Sequence, residues 1–168
     1  MSSVVIHCHF YQPPREDPFL DEVEAESSAA PFHDWNARIS AECYEPNARS
    51  RVLDEDGRIQ DIVNNYERIS FNVGPTLLDW LKSAAPDVVA AMLEADRASR
   101  ARLGHGNAIA QAYNHMILPL ATRRDRQTQI RWGIREFEVR CGRRPEAMWM
   151  PETAVDAQSL ELLIQAGM

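Results

Sequence analysis

Pro145-Glu146-Ala147-Met148-Trp149-Met150-Pro151-Glu152-Thr153 is a short apolar run that ends in a carboxylate beside a proline. A buried parallel strand hands a charged side chain to its C-terminal tip in this way. The stretch therefore predicts a strand with Glu152 at the tip. Three earlier runs end alike, each in polar or aromatic residues. Val4-Val5-Ile6-His7-Cys8-His9-Phe10 is β-branched and stops at Gln12-Pro13-Pro14, where proline ends a ladder. Ile69-Ser70-Phe71-Asn72-Val73-Gly74 stops at Gly74-Pro75. Ala108 to Tyr113 follows the turn Gly104-His105-Gly106-Asn107 and runs into Asn114-His115-Met116-Ile117-Leu118-Pro119.

Helical patterns separate the runs. Trp35 to Tyr44 reads as a short helix, with Asp34 as N-cap and Pro46 closing it. Thr76 is placed to cap a helix carrying Leu77, Leu78, Trp80 and Leu81. Pro86 suits the first turn of the next helix, with Asp87 beside the positive end of its dipole. That helix sets Val89, Met92, Leu93 and Leu103 on one face, where Asp96 is expected to pair with Arg100. Residues 125–141 repeat Ile130, Ile134, Phe137 and Cys141 at fours and threes, and Gly142 ends the pattern. Asp156 caps a last helix holding Leu160, Leu163 and Ile164, before Gly167. Two stretches fall outside the alternation. Residues 15–34 form an acidic loop that is long for a compact domain. Residues 47–67 are polar and weakly patterned, with a turn at Asp56-Gly57.

Strand–helix alternation four times over implies an α/β fold: a parallel sheet covered by helices, with ligands at the carboxyl ends of the strands. Four strands do not close a barrel, which generally needs about eight. Residues 1–168 are therefore expected to be the N-terminal portion of a larger catalytic domain, with a sheet edge open to self-association at the fourth strand.

Bulk properties narrow the function. The chain has 168 residues, 45% apolar and 26% charged, which suits a soluble globular domain with a core of its own. A net charge of −7 argues against nucleic acid or an acidic membrane surface as partner and is compatible with a neutral substrate. The cluster Arg123, Arg124, Arg126 reads as a solvated helix start. Cys8, Cys43 and Cys141 are odd in number and form no CxxC pair, so a reducing cytoplasm fits. The N-terminus has no basic n-region, and no run is long and apolar enough to span a bilayer.

The strand tips carry His7, His9 and Gln12, then Asn72, then Gln111 and His115, then Trp149 and Glu152. Hydrogen-bonding side chains mixed with aromatic rings are what a sugar site requires, because hydroxyls need placed donors and acceptors while the C–H face of a pyranose packs on a ring. Each residue also has a plainer reading. His7 and His9 share a strand face; His7 is equally at home as an interior structural histidine and His9 less so, Trp149 reads equally as core or pocket wall, and Glu152 reads as a helix N-terminal cap, although a carboxylate directly after a buried strand and a proline is more often placed for a site. A metal site on His7, His9, His105 and His115 is the other chemistry open to these residue types, although no HxxxH or HExxH spacing supports it.

The same residues carry a resemblance. His7-Cys8-His9-Phe10-Tyr11-Gln12-Pro13 resembles the His-Gln-Pro first motif of glycoside hydrolase family 57, with an aromatic insertion. Gly106 through Pro119 looks like the second motif region, and Trp149-Met150-Pro151-Glu152 like the third. Asp34-Trp35-Asn36 and Asn64 to Asn72 resemble the front end of a bacterial branch. The resemblance implies an incomplete (β/α)7 barrel, here about four strand–helix units of it, acting on α-glucans or related oligosaccharides with retention of configuration. It implies Glu152 as nucleophile, His9, Gln12, His115 and Trp149 around the sugar, and no metal or organic cofactor; Asn72 and Gln111 are added as sugar ligands by their strand-tip positions alone. Two departures stand out. Ala108 and Ala110 flank Ile109 where the second motif often carries an acid. The family's general acid, an aspartate on a fourth motif, has no counterpart here, so these residues alone are expected to be inactive. The competing expectations are a metal-dependent carbohydrate deacetylase on a related barrel, and a non-catalytic carbohydrate-binding fragment that completes its barrel with another chain.

Overall fold

The structure, a computed structural model, describes residue 2 and residues 4–168. Its spine is four short parallel strands laid side by side in chain order. Strand β1 (His7–Phe10) pairs with β4 (Ser70–Val73) in the register His7–Ser70, Cys8–Phe71, His9–Asn72 and Phe10–Val73. A single parallel bridge, Phe71 to Ala108, joins β4 to the segment leading into β5 (Ala110–Gln111). Strand β5 pairs with β6 (Met148–Trp149). The opening stretch is thus a strand, but only two of its residues enter the ladder. The third run likewise pairs over two residues rather than from 108 to 113. These are mixed α/β features, and the four strands do not themselves make a barrel.

Helices follow each strand. Helix α1 (Trp35–Ile39) starts on Asp34, whose carboxylate accepts from Ala37 N–H. Pro46 does not close it. A π-helical turn over Ser40–Tyr44 intervenes, with Glu45 N–H donating back to the Ser40 carbonyl, and α2 (Glu45–Ala48) continues through Pro46. Helix α3 (Pro75–Ala84) takes Gly74 as its N-cap residue, without a side-chain cap. The Thr76 hydroxyl instead donates to the Gln12 carbonyl, tying α3 to the exit of β1. Helix α4 (Pro86–Leu103) buries Val88, Met92, Ala95, Asp96 and Ser99, while Leu103 is 55% exposed in the final turn. Helix α5 (Arg123–Cys141) is capped by Thr122 and ends on left-handed Gly142. Helix α6 (Ala157–Gln165) is capped by Asp156.

The polar segment 47–67 contains a hairpin that hydrophobic pattern did not announce. Strands β2 (Ser50–Leu53) and β3 (Ile59–Val63) are antiparallel, with Gly57 at φ 77° in the turn between them. Neither face is buried: Val52, Leu53, Ile59 and Ile62 are all exposed. One core packs Phe10, Tyr44, Tyr66, Phe71, Leu77, Leu81, Val88, Met92 and Phe137 between β1–β4 and the helices; a second gathers Leu118, Ile130, Ile134 and Leu162.

Two buried arginines clamp the strand ends. Asp96 does not meet Arg100. Its carboxylate accepts from Arg143 Nε (2.9 Å) and Nη2 (2.7 Å), and also from the Ala108 backbone N–H (2.9 Å), while Arg143 Nη2 donates to the Ala108 carbonyl (2.9 Å). Arg126 is buried rather than solvated. Its guanidinium donates to the Pro119 and Ala121 carbonyls, to both Asp156 oxygens and to Ser159 Oγ.

Candidate active site

Strand alternation sends His7, His9 and Tyr11 to one side of β1. There the His7 and His9 rings each lie parallel to Trp149, with centroids 5.0 Å away. Tyr11 stacks on His115 at 3.9 Å, and His9 on His115 at 5.0 Å. The first, third and fourth strand ends thus contribute one continuous set of aromatic and imidazole rings.

Asn72, from the second strand, fastens the set from behind. Its side chain is buried at 1% exposure with all its polar atoms in use. His7 Nε2–H donates to Asn72 Oδ1 (3.0 Å), and the Ser70 hydroxyl donates to His7 Nδ1 (2.9 Å). Asn72 Nδ2 donates to His9 Nδ1 (2.8 Å) and to Gln111 Oε1 (2.6 Å). His9 Nε2 and His115 Nε2 are 2.9 Å apart. His115 Nδ1 then stands 3.9 Å from Glu152 Oε1. A chain of polar contacts therefore runs from Ser70 through four side chains to the Glu152 carboxylate.

The electrostatics follow from burial. Desolvation pushes the His9 imidazole below its ordinary value, with Asn72 and Glu152 opposing and His115 and His7 adding to the fall. Desolvation likewise lowers His115 against the upward pull of Glu152 and of a hydrogen bond to its own backbone. The two imidazoles are held neutral, so they act as hydrogen-bonding dipoles rather than as cations. Tyr11 is pushed up, first by burial and then by Glu152.

Glu152 itself is presented to solvent, with 65% of its side chain exposed. Its backbone is left-handed (φ 55°, ψ 21°), as is that of Thr153 (φ 54°) and of His115 (φ 54°). The remaining non-glycine residue of this kind among the described residues is Asp21. Left-handed backbone costs a residue with a Cβ about 1–2 kcal/mol. Such strain gathers where a side chain must be aimed. Here three instances coincide at the two residues that face each other and the neighbour of one of them.

Residues 16–168 match the family described as Glycosyl hydrolase family 57. The chain belongs to that family. The match begins after the His7–Pro13 segment, so the first of the three motifs lies outside the matched residues, while the second and third lie inside. No curated protein and no solved structure matches the chain. Family 57 membership points to chemistry on glycosidic bonds, by hydrolysis or by transfer.

The expected residues separate into three groups. His9, His115, Trp149 and Glu152 come together at the open side. Asn72 and Gln111 (3% exposed) stand behind them as support. Gln12 is not drawn in: its amide lies against the Tyr44 hydroxyl (3.4 Å) and accepts from Arg15 (3.2 Å). His105 sits at the end of α4 against the Gly106 carbonyl, away from the other histidines. Among the described residues no group of three His, Cys, Asp or Glu side chains is arranged to hold a metal ion, and no helix is long and apolar enough to cross a membrane. Tyr11 was missed in sequence, although its spacing of two from His9 placed it on the same face. At this site two buried donors, Gln111 Nε2 and Trp149 Nε1, have no partner among the described residues. A cleft of about 760 Å³ near the Arg49–Asp87 ion pair shares no residue with this site.

Proposed function

We propose that this chain carries the nucleophile half of a retaining active site for α-glucans or related oligosaccharides, with Glu152 as nucleophile. The observation that carries the reading is the coincidence of left-handed backbone at Glu152, Thr153 and His115 with a ring-lined wall around the same carboxylate. A Glu152 oxygen would bond to the anomeric carbon as the leaving oxygen departs. The step draws on no cofactor. His9, His115 and Trp149 would face the sugar. A retaining enzyme needs a second carboxyl group roughly 5–5.5 Å from the first to protonate the leaving group. The aspartates whose partners are visible near the strand ends are engaged elsewhere: Asp96 by Arg143, Asp156 by Arg126. The general acid is therefore assigned to none of these residues, and without one, turnover of natural glycosides falls by about two to four orders of magnitude.

A test that does not need the acid uses a glucosyl fluoride carrying a second fluorine on the sugar ring. Fluoride leaves with its electron pair and needs no proton, while the ring fluorine slows hydrolysis of the ester formed. Mass spectrometry should find the sugar on the peptide containing Glu152, and Glu152→Gln should abolish the label. No label, or a label on another carboxylate, refutes the assignment.

A further inference from the structure

The contacts behind Glu152 fix more than position. An imidazole in its neutral form has one N–H and one bare nitrogen, so each hydrogen bond it makes dictates the next. Asn72 donates through Nδ2 to His9 Nδ1. His9 Nδ1 is therefore bare and its proton sits on Nε2. That proton points at His115 Nε2, 2.9 Å away. His115 Nε2 is therefore the acceptor, and its own proton sits on Nδ1, the nitrogen turned toward Glu152 Oε1. The same amide orientation requires His7 Nε2, 3.0 Å from Asn72 Oδ1, to be the donor there. Reversing the Asn72 amide would reverse every link and turn a lone pair of His115 toward the carboxylate.

We propose that Asn72 is a positioning residue that sets the protonation pattern of His9 and His115, so that His115 presents an N–H to Glu152. It acts through two imidazoles and touches neither the carboxylate nor a sugar. At 3.9 Å the His115 N–H is a dipole aimed at Glu152 rather than a formed hydrogen bond. The significance of the device rests on Glu152 being the nucleophile; its existence does not, because it is read without substrate.

The imidazole nitrogens of the protein can be read directly by nitrogen-15 NMR. In the native protein, at a pH where both histidines are neutral, the expected pattern is His9 protonated on Nε2 and His115 on Nδ1, the minor form of free histidine. Asn72→Asp removes the donor and leaves an acceptor. Above the pH at which His9 of that variant gives up any second proton, His9 should carry its proton on Nδ1. The two nitrogen signals of His115 should then exchange places. The proposal is overturned if native His115 carries Nε2–H, if native His9 carries Nδ1–H, or if His115 is unchanged in a folded Asn72→Asp protein in which His9 is neutral. Should that variant fail to fold, the native pattern alone decides. Loss of the sugar label at Glu152 with this pattern intact would sink the nucleophile and leave the positioning role standing.

Discussion

If Glu152 is held left-handed for the sake of its carboxylate, the protein should become more stable when that carboxylate is given up for glycine. The left-handed conformation costs a residue with a Cβ about 1–2 kcal/mol. Glycine adopts φ 55° freely but loses about 0.5–1 kcal/mol of extra backbone entropy on folding. Little else changes, because the Glu152 side chain is 65% exposed and the neutral His115 imidazole stands 3.9 Å away. From the midpoints of the two ranges, Glu152→Gly should therefore stabilise the fold by about 0.75 kcal/mol. For a chain of this length that is a rise in Tm of about 2–4 °C per kcal/mol. Glu152→Ala is the control, since alanine removes the carboxylate and keeps the strained Cβ; it should leave stability near that of the native protein. Urea denaturation at neutral pH reads both, with the slope unchanged and only the midpoint moving. A Glu152→Gly protein no more stable than Glu152→Ala would show that no strain is stored there, and the main support for a functional Glu152 would go with it.

Further outcomes follow from the clamps and the titrating groups. Asp96→Ala strands a buried arginine and the Ala108 N–H, so urea denaturation should show a loss of about 3–5 kcal/mol, largely recovered when Arg143→Met is added; a loss under about 1 kcal/mol refutes the clamp. A Cβ on Gly133 would run into the Gln111 carbonyl, so Gly133→Ala should push α5 off β5 and destabilise by about 1–3 kcal/mol, with shifted NMR signals at Gln111 and Asn72; unchanged signals would refute the close packing. Burial lowers His9 and His115 below 6.5, so the unfolded chain binds protons first and stability should begin to fall as pH drops below about 6.5, a decline that His115→Gln should lessen. Bonds from Ser159 and Arg126 hold Asp156 at about 2 against an ordinary 3.8, so its contribution is present above that ordinary value and lost as pH falls toward 2; Asp156→Asn should flatten this limb of an acid titration.

The frame of the fold was legible because proline, glycine and β-branched runs punctuate it. The four strand tips, the Asp34 and Asp156 caps, and the ends at Gly104 and Gly142 all follow from local chemistry. The hairpin β2–β3 was not legible, because a strand buried on neither face has no period-two pattern to display. Pro46 misled because a π turn shifts the hydrogen bonding just before it. Partners distant in sequence were hidden as well: Asp96 and Arg143 are 47 residues apart, and a neighbour four positions on offered a plausible rival. Within the site, residue types and strand register pointed to His9, His115, Trp149 and Glu152. Nothing in a glutamate, a threonine or a histidine announces left-handed backbone, and nothing in Asn72 separates a buried strut from a sugar ligand.

The strands that carry this site are too short to hold it by themselves. Strands β5 and β6 share two residue pairs, yet Gln111, Trp149, His115 and Glu152 depend on where they end. The accuracy must come from outside the sheet, and three contacts supply it. Arg143 and Asp96 take both backbone groups of Ala108, at the start of the segment that becomes β5. Gly133 lets α5 lie directly on the Gln111 carbonyl, closer than any side chain would allow. Arg126 joins the loop after His115, through Pro119 and Ala121, to Asp156 just after Glu152. These three act on backbone or on a helix cap, so they set where the strand tips stand and leave the side chains free to differ. Asn72 works at the next level and orients the imidazoles that the clamped strands bring within reach. Strain at His115, Glu152 and Thr153 can persist because these anchors hold the chain on both sides of it. A site built this way loses aim before it loses fold, so substitutions at the anchors should be read by the geometry of the His9–His115 pair as well as by stability.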